Sequence, residues 1–501
     1  MRFAASAAAV RDVGGIKAAI ERFLKASHQP ALLEPGEELL DLTTGNYVLE
    51  HRNGRLTFQA WNEARNLVRR VIALGEERHG RLELVIERFA RKEGRLWLVD
   101  RARPDNQEME RRGTRLVFRE RFRRFLARQY PDWKLVEIST EADLEHSLSP
   151  AFQRAFLRRG QAGRAAIAAG PEAADATGAL SFGLIWLDHL RLRERRVAVE
   201  GLTLLAPLGA ESLVCQRLRY LDPARAACEA FAYSPDDAAA RLDPRDLGNL
   251  DTELPVFRRP APEAQAWVER VAGLEHVETV AMSDRSASLR VRGLEFARTS
   301  ERELLFGLHQ RTPVQEHNFS EVARLVDSLA RLRTPGCVRQ ATLASRSPEA
   351  WLESVVRAQL TTIDASLLPS PVYGQVPAWA GGQRGIIDLL ACGRDRRLTV
   401  LELKASQDLH LPLQALDYWM RVKWHLERGE FTPRGYFPGL ELRPESPRLL
   451  LVSPALDFHP TTETILQFVS PEVEVERVGL NSQWREKLEV MFRYRGAEGP
   501  A

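Results

Sequence analysis

Late in the chain two short apolar runs flank a single turn: Gly-Ile-Ile-Asp-Leu-Leu-Ala at 385–391 and Leu-Thr-Val-Leu-Glu-Leu-Lys-Ala at 398–405, with Gly-Arg-Asp-Arg-Arg between them. Runs this short and this apolar read as strands of a buried sheet, and five residues beginning with glycine suit a hairpin loop. A hairpin centred on Asp395 sets Asp388 opposite Glu402. The two-residue period then predicts that Asp388, Glu402 and Lys404 share one face. The other face, with Ile387, Leu389, Leu401 and Leu403, is expected to pack into the core. Opposed carboxylates in an apolar hairpin repel, and nothing in the strands offsets the cost. A divalent cation removes the conflict. Mg²⁺ takes one or two carboxylates, a main-chain carbonyl and retained waters, and Asp388, Glu402 and the Leu403 carbonyl could supply that set.

Lys404 sharpens this reading. Only seven of the 71 basic residues are lysines, so arginine is used almost wherever a positive charge is wanted. A compact ammonium beside a metal can position or polarise an attacking water in a way that the arginine fork does not.

The surroundings are equally regular. Ser347-Pro348-Glu349 reads as N-cap, first-turn proline and first-turn acid of a helix running to Leu360. Strands are expected at 372–376, 385–391 and 398–405, a helix at 411–426, a strand at 449–453, a short helix at 462–468 and a strand at 473–478. The order is α-β-β-β-α-β. Downstream of the hairpin, Gln414-Ala415-Leu416-Asp417-Tyr418 puts Gln414 and Tyr418 on one helical face, which Arg421 and His425 extend.

Asp388 with Glu402-Leu403-Lys404 resembles the motif of the PD-(D/E)xK nuclease superfamily, and the element order is similar to the core of that family. Gln414 to Tyr418 resembles the QxxxY motif of its RecB-like members. The proline of the family name is Ile387 here, and the likeness covers roughly residues 346–480. It implies a restriction-endonuclease-like core with a mixed sheet, hydrolysing phosphodiester bonds with Mg²⁺ or Mn²⁺. Asp388 and Glu402 would be metal ligands and Lys404 would serve the nucleophile. Gln414 and Tyr418 would contact the strand or brace the lysine, and Arg421 is a further candidate contact. The helix glutamate that the family often adds maps best onto Glu353 and less well onto Glu349. Phosphodiester chemistry is common to DNA and RNA; DNA is the expected polymer, with a ribonuclease as alternative. A non-catalytic scaffold that keeps the fold is the competing class. The residues leave endonuclease or exonuclease action open, as well as any protein partner.

The remainder reads as a multidomain α/β chain. Residues 1–105 suggest a small α/β domain, with a helix near 16–27, several short strands and a helix at 61–74. Residues 106–233 suggest a second α/β domain that opens on an arginine-rich helix, 111–129. Eight arginines lie there, with Leu116, Phe122, Phe125 and Leu126 as the buried stripe; Arg112, Arg119 and Arg123 are the outward candidates for phosphate contact. A strand at 165–169, a helix at 180–190 and a strand at 197–205 repeat the order of the C-terminal core without D…ExK, as a degenerate nuclease-like fold would. Five prolines mark 234–262 as a linker, 263–345 connects, and 346–496 is the nuclease domain.

Composition excludes little else. No apolar run reaches the roughly 20 residues of a membrane helix. The N-terminal ten residues lack a strongly apolar centre and run into Arg11 and Asp12, so no secretory signal is expected. Four scattered cysteines have neither metal nor disulfide spacing, consistent with core residues in a reducing cytoplasm. The formal charge of +3 does not by itself point to a polyanion, and no Gly-rich nucleotide-binding loop is present.

Overall fold

The structure is a computed structural model. It describes residues 12–498 except 35–38, 45, 53, 62–65, 79, 88–92, 171–175, 235–237, 246–251, 259, 283–285, 301, 336–346 and 381–382. It is mixed α/β and multidomain, dividing into two compact units, Met1–Thr140 and Glu141–Ala501. No helix among the described residues is long and apolar enough to cross a membrane.

In the first unit, Asp12 opens helix α1 (Val13–Ala26) by accepting the Gly14 and Gly15 N–H groups. Ile16, Ala19, Ile20, Phe23 and Leu24 form its buried face. It packs on an antiparallel sheet of β1 (Pro30–Leu33), β2 (Leu40–Asp41), β3 (Tyr47–Arg52), β4 (Arg55–Trp61), β5 (Asn66–Arg78), β6 (Arg81–Glu87) and β7 (Glu93–Asp100), ordered β2-β1-β7-β6-β5-β4-β3. The helix expected over 61–74 is therefore strand from Asn66 onward. Leu67, Val71 and Leu74 fit a helical stripe, but Val68, Val71 and Ile72 are β-branched, and β4 and β6 supply ladder partners on both sides. Helix α2 (Pro104–Gln129) carries the arginines, and β8 (Lys134–Ser139) follows it. Its buried stripe is Phe118, Phe122, Phe125 and Leu126, so Phe118 takes the place expected for Leu116, which is only half-buried. This helix belongs to the first compact unit, not with the residues after 141.

Among the described residues the second unit holds three sheets. The first comprises β9 (Phe152–Arg159), β10 (Ala162–Ala169), β11 (Ala198–Pro207), β12 (Ala227–Tyr233) and β13 (Ala239–Arg241) in sequential order. Neighbours run antiparallel, parallel, parallel and antiparallel. Helices α3 (Ala179–Arg193) and α4 (Glu211–Arg219) make the two parallel crossovers. Next comes an antiparallel meander, β14 (Val277–Ala281), β15 (Ala287–Val291), β16 (Leu294–Ser300), β17 (Glu303–Phe306) and β18 (Thr312–Pro313), with α5 (Pro262–Ala272) and α6 (Phe319–Leu332) closing its own core.

After α7 (Pro348–Ala358) and α8 (Leu360–Ile363) comes the third sheet: β19 (Tyr373–Ala380), β20 (Gln383–Cys392), β21 (Leu398–Leu403), β22 (Arg448–Pro454), β23 (Val475–Leu480) and β24 (Val490–Arg495). Helices α9 (Leu411–Glu427) and α10 (Thr462–Leu466) make its crossovers. From β20 to β24 the directions repeat those of β9 to β13. The two sheets share one core, in which Ile167, Leu184 and Leu187 join Val400, Trp419 and Leu451. Their helices pair reciprocally, α3 with α10 and α4 with α9. Between them Leu221 and Val469 form an antiparallel bridge; Asp222 N donates to Phe468 O and Ser470 N to Tyr220 O, each at 2.8 Å.

The stretch expected as a linker is a strap on this unit. Leu254 lies in the shared core and Phe257 packs edge-on against Tyr373, its ring 4.8 Å away. Ser347 occupies the N-cap of α7 with a left-handed φ of 52° and makes no side-chain capping bond, so Pro348 rather than a serine cap opens that helix.

Candidate active site

The hairpin register follows from its turn. Cys392 pairs with Leu398 across residues 393–397, and Leu389 with Leu401. One step further sets Asp388 across from Glu402. There the regular ladder stops, and Asp388 Oδ2 instead accepts the Leu403 N–H at 2.8 Å. On the other side Asp388 faces Gln375, whose φ of 55° is left-handed. At this kink the alternation of both strands slips by one. Tyr373, then Val376 and Ala378 on β19, and Ile387, then Leu390 and Cys392 on β20, all enter the core beneath α9. Ile387 therefore joins the α9 side and not the opposite face. Leu389, Leu401 and Leu403 do pack on the far side, against Trp351 and Leu352 of α7. Both faces of the sheet are covered, so the carboxylates lie under α9 and not on an open surface.

Burial sets the electrostatics. It pushes the Asp388 carboxyl up to about 6, against the opposing pull of the Leu403 N–H and the Lys404 charge. Glu402 is 1% exposed; burial, then the neighbouring Asp388 charge, carry it well above the usual carboxylate range. Its Oε2 has no hydrogen-bond partner among the described residues, while a side-chain hydrogen bond between its carboxyl and that of Asp388 offsets part of the Asp388 shift. Lys404 Nζ lies 3.5 Å from Glu402 Oε1 and 3.6 Å from Asp408 Oδ2. Burial disfavours its ammonium, yet Glu402, Glu349, Asp408 and Asp388 together hold it above its ordinary value.

The α9 residues converge on the same place. Gln414 Nε2 donates to Tyr418 Oη at 3.0 Å, and the Ile386 N–H reaches that oxygen at 3.4 Å. Burial raises the Tyr418 phenol and the Glu402 charge adds to the effect. Gly385 makes room for the ring, since a Cβ there would lie 2.5 Å from Tyr418 Cε1. Arg421 is buried on the next turn, while His425 is tied to Glu430 at 2.6 Å.

Other candidates fall elsewhere. Glu353 is buried between Arg290, at 3.3 Å, and Arg357, and also accepts from Gln375 Nε2 at 2.8 Å. The helix acid whose charge acts on Asp388, Glu402 and Lys404 is Glu349, one turn earlier. In the first unit Arg119 and Arg123 each lie 3.8 Å from Glu120; the side chain of Arg112 lies outside the described residues, as does Cys337. Asp408 and the buried pair of Arg217 with Asp417 (2.7 Å) were not anticipated. The i, i+4 spacing of Lys404 and Asp408 was a usable signal; nothing in sequence joins residues 200 apart.

No three His, Cys, Asp or Glu side chains converge as a metal cluster among the described residues. A cation here would rest on two carboxylates, a carbonyl and water. The Glu402 oxygen, unpartnered among the described residues, and the two raised carboxyls fit that role, because two buried acids share the single ammonium of Lys404. No family model matches the chain, and no curated protein is significantly similar to it.

Proposed function

We propose that the third sheet of the second unit and α9 form a Mg²⁺-dependent nuclease, with a restriction-endonuclease-like core, that hydrolyses phosphodiester bonds of nucleic acid, DNA first. The observation that carries this reading is the buried set of Asp388, Glu402 and Lys404, in which two carboxyls are held against their ionisation and one oxygen has no partner. Asp388 and Glu402, with the Leu403 carbonyl, would hold the cation; Glu349 is the nearby helix acid in place of Glu353. When bound, the cation would supply Lewis-acid polarisation of the phosphate and of water. Lys404, kept protonated, acts as a charge and a donor that orients the attacking water and not as a base. The Tyr418 oxygen already accepts two N–H donors, which leaves its own hydrogen for a phosphate oxygen.

The test is cleavage of labelled single-stranded, duplex and branched DNA, and of RNA, with Mg²⁺, Mn²⁺ or EDTA. Asp388→Asn, Glu402→Gln and Lys404→Ala are each expected to lower the rate at least about a hundredfold with the fold intact. Lys404→Arg should fail almost as badly, although arginine serves nearly everywhere else. Full activity in EDTA sinks the metal reading, and no cleavage of any substrate by the wild type favours a scaffold that keeps the fold.

A further inference from the structure

Beside the hairpin, between α9 and the α3–α4 half, lies a cavity of about 320 Å³. Its lining includes Ser181 and Arg217 from that half and Gln414, Tyr418 and Arg421 from α9. Arg421 is 2% exposed, and its Nε and Nη2 have no hydrogen-bond partner among the described residues. These two N–H groups lie on one edge of the planar guanidinium, the edge that takes a carboxylate or phosphate with two parallel bonds. The adjacent Asp417 would be its natural partner, but Arg217 occupies both Asp417 oxygens, Nε to Oδ1 at 2.9 Å and Nη2 to Oδ2 at 2.7 Å. Ser181 Oγ, on a residue only 1% exposed, is also without a partner among the described residues. Each half of the unit thus brings one buried, unsatisfied polar group to the same cavity. Such groups cost stability unless a ligand satisfies them. Burial pulls the Arg421 guanidinium down to about 10, so it remains charged at neutral pH.

We propose that this cavity is a subsite for a phosphate group of the substrate strand, gripped by the open edge of Arg421 with Ser181 as a second donor. The identity of the ligand rests on the nuclease reading; the existence of an anion site does not. Gln414, Tyr418 and Arg421 fall at i, i+4 and i+7, so they span about 10 Å of one helix face, with Tyr418 under the influence of the Glu402 and Asp388 charges. The volume suits one nucleotide-sized group, not a duplex. Arg217 acts here as a positioning residue, because it keeps Asp417 from quenching Arg421.

The experiment uses the full chain as Glu402→Gln, so that binding is read without cleavage. Ten-nucleotide single-stranded DNA with a 3′ fluorophore, carrying either a 5′-phosphate or a 5′-hydroxyl, is titrated by anisotropy. Adding Arg421→Met should weaken binding at least tenfold while raising the ligand-free melting temperature, since a buried unpaired charge is removed. Arg421→Lys should recover only part of the affinity, and Ser181→Ala should weaken binding severalfold. A loss confined to the 5′-phosphorylated strand assigns a terminal phosphate; an equal loss on both assigns an internal one. Unchanged affinity in Arg421→Met, or a lowered melting temperature with affinity lost in proportion to unfolding, overturns the subsite. Wild-type cleavage is assayed in parallel. Cleavage without Arg421-dependent binding removes the subsite alone, and Arg421-dependent binding without cleavage removes the nuclease reading alone.

Discussion

Asp388 and Glu402 oppose folding as long as both are ionised with only the Lys404 ammonium to balance them. Asp388 sits near 6 in the folded chain against an ordinary 3.8, and Glu402 moves the same way. A raised carboxyl stabilises the fold below its unfolded pKa, and that stabilisation is lost as pH rises through the folded value. In EDTA the melting temperature should therefore fall from pH 4 to above pH 6, by an amount equivalent to roughly 3 kcal/mol for Asp388 alone. Mg²⁺ should restore most of it above pH 7, and Asp388→Asn should flatten the profile. A wild-type profile as flat as that of Asp388→Asn would show that these carboxyls carry no such strain. Sequence identified these residues because strand alternation and a five-residue turn fix who faces whom. It ranked Glu353 above Glu349 because the two lie one turn apart on the same helix. Only the packing of Arg290 and Arg357 around Glu353 separates them.

At the scale of elements, the Asp388–Glu402 hairpin and α9 were legible because each carries its own period and punctuation. The strand at Asn66–Arg78 was not, since Leu67, Val71 and Leu74 fit the helical period and the ladder partners decided against it. The slip at Gln375 was equally hidden: a left-handed non-glycine residue inside a strand has no local signature. Packing between elements also gives a test. Gly385→Ala would press on the Tyr418 ring, displacing its hydroxyl, so turnover should drop about tenfold or more with little change in melting temperature. A drop matched by Gly385→Ala with Tyr418→Phe would tie the effect to that hydroxyl; normal turnover would free Tyr418 from the mechanism. Helix α2 offers a separate one. Of its outward candidates Arg123 is exposed and Arg119 half-exposed, both beside Glu120. If Arg112, Arg119 and Arg123 neutralise phosphates, exchanging all three for glutamine should flatten the log K against log salt slope by about 0.9 per lost contact. An unchanged slope returns this helix to a solvated face.

For the whole molecule, the repeated order of strands was faintly visible in sequence, but its consequence was not, because the reciprocal pairing of α3 with α10 and α4 with α9 is made by residues hundreds of positions apart. The α3-facing positions of β10 carry Ala165, Ile167 and Ala169 where β21 carries Leu398, Val400 and Glu402. The arrangement has the form of a two-fold assembly written into a single polypeptide, with acids on one of its two members only. A symmetric pair of equal nucleases would meet both strands of a duplex at once and sever it. One chain brings, under the nuclease reading, only one such centre, that of Asp388 and Glu402. Under the nuclease reading, supercoiled plasmid should pass first to open circles, with linear product appearing only after a second, independent encounter and first-order in enzyme throughout. Linear product formed from the outset, or a rate rising with the square of enzyme concentration, would mean that two chains act together. If nicking comes first, the apolar residues Ala165, Ile167 and Ala169 set the valence of the molecule, making it a nicking agent by construction and leaving its other half to hold the strand that is cut.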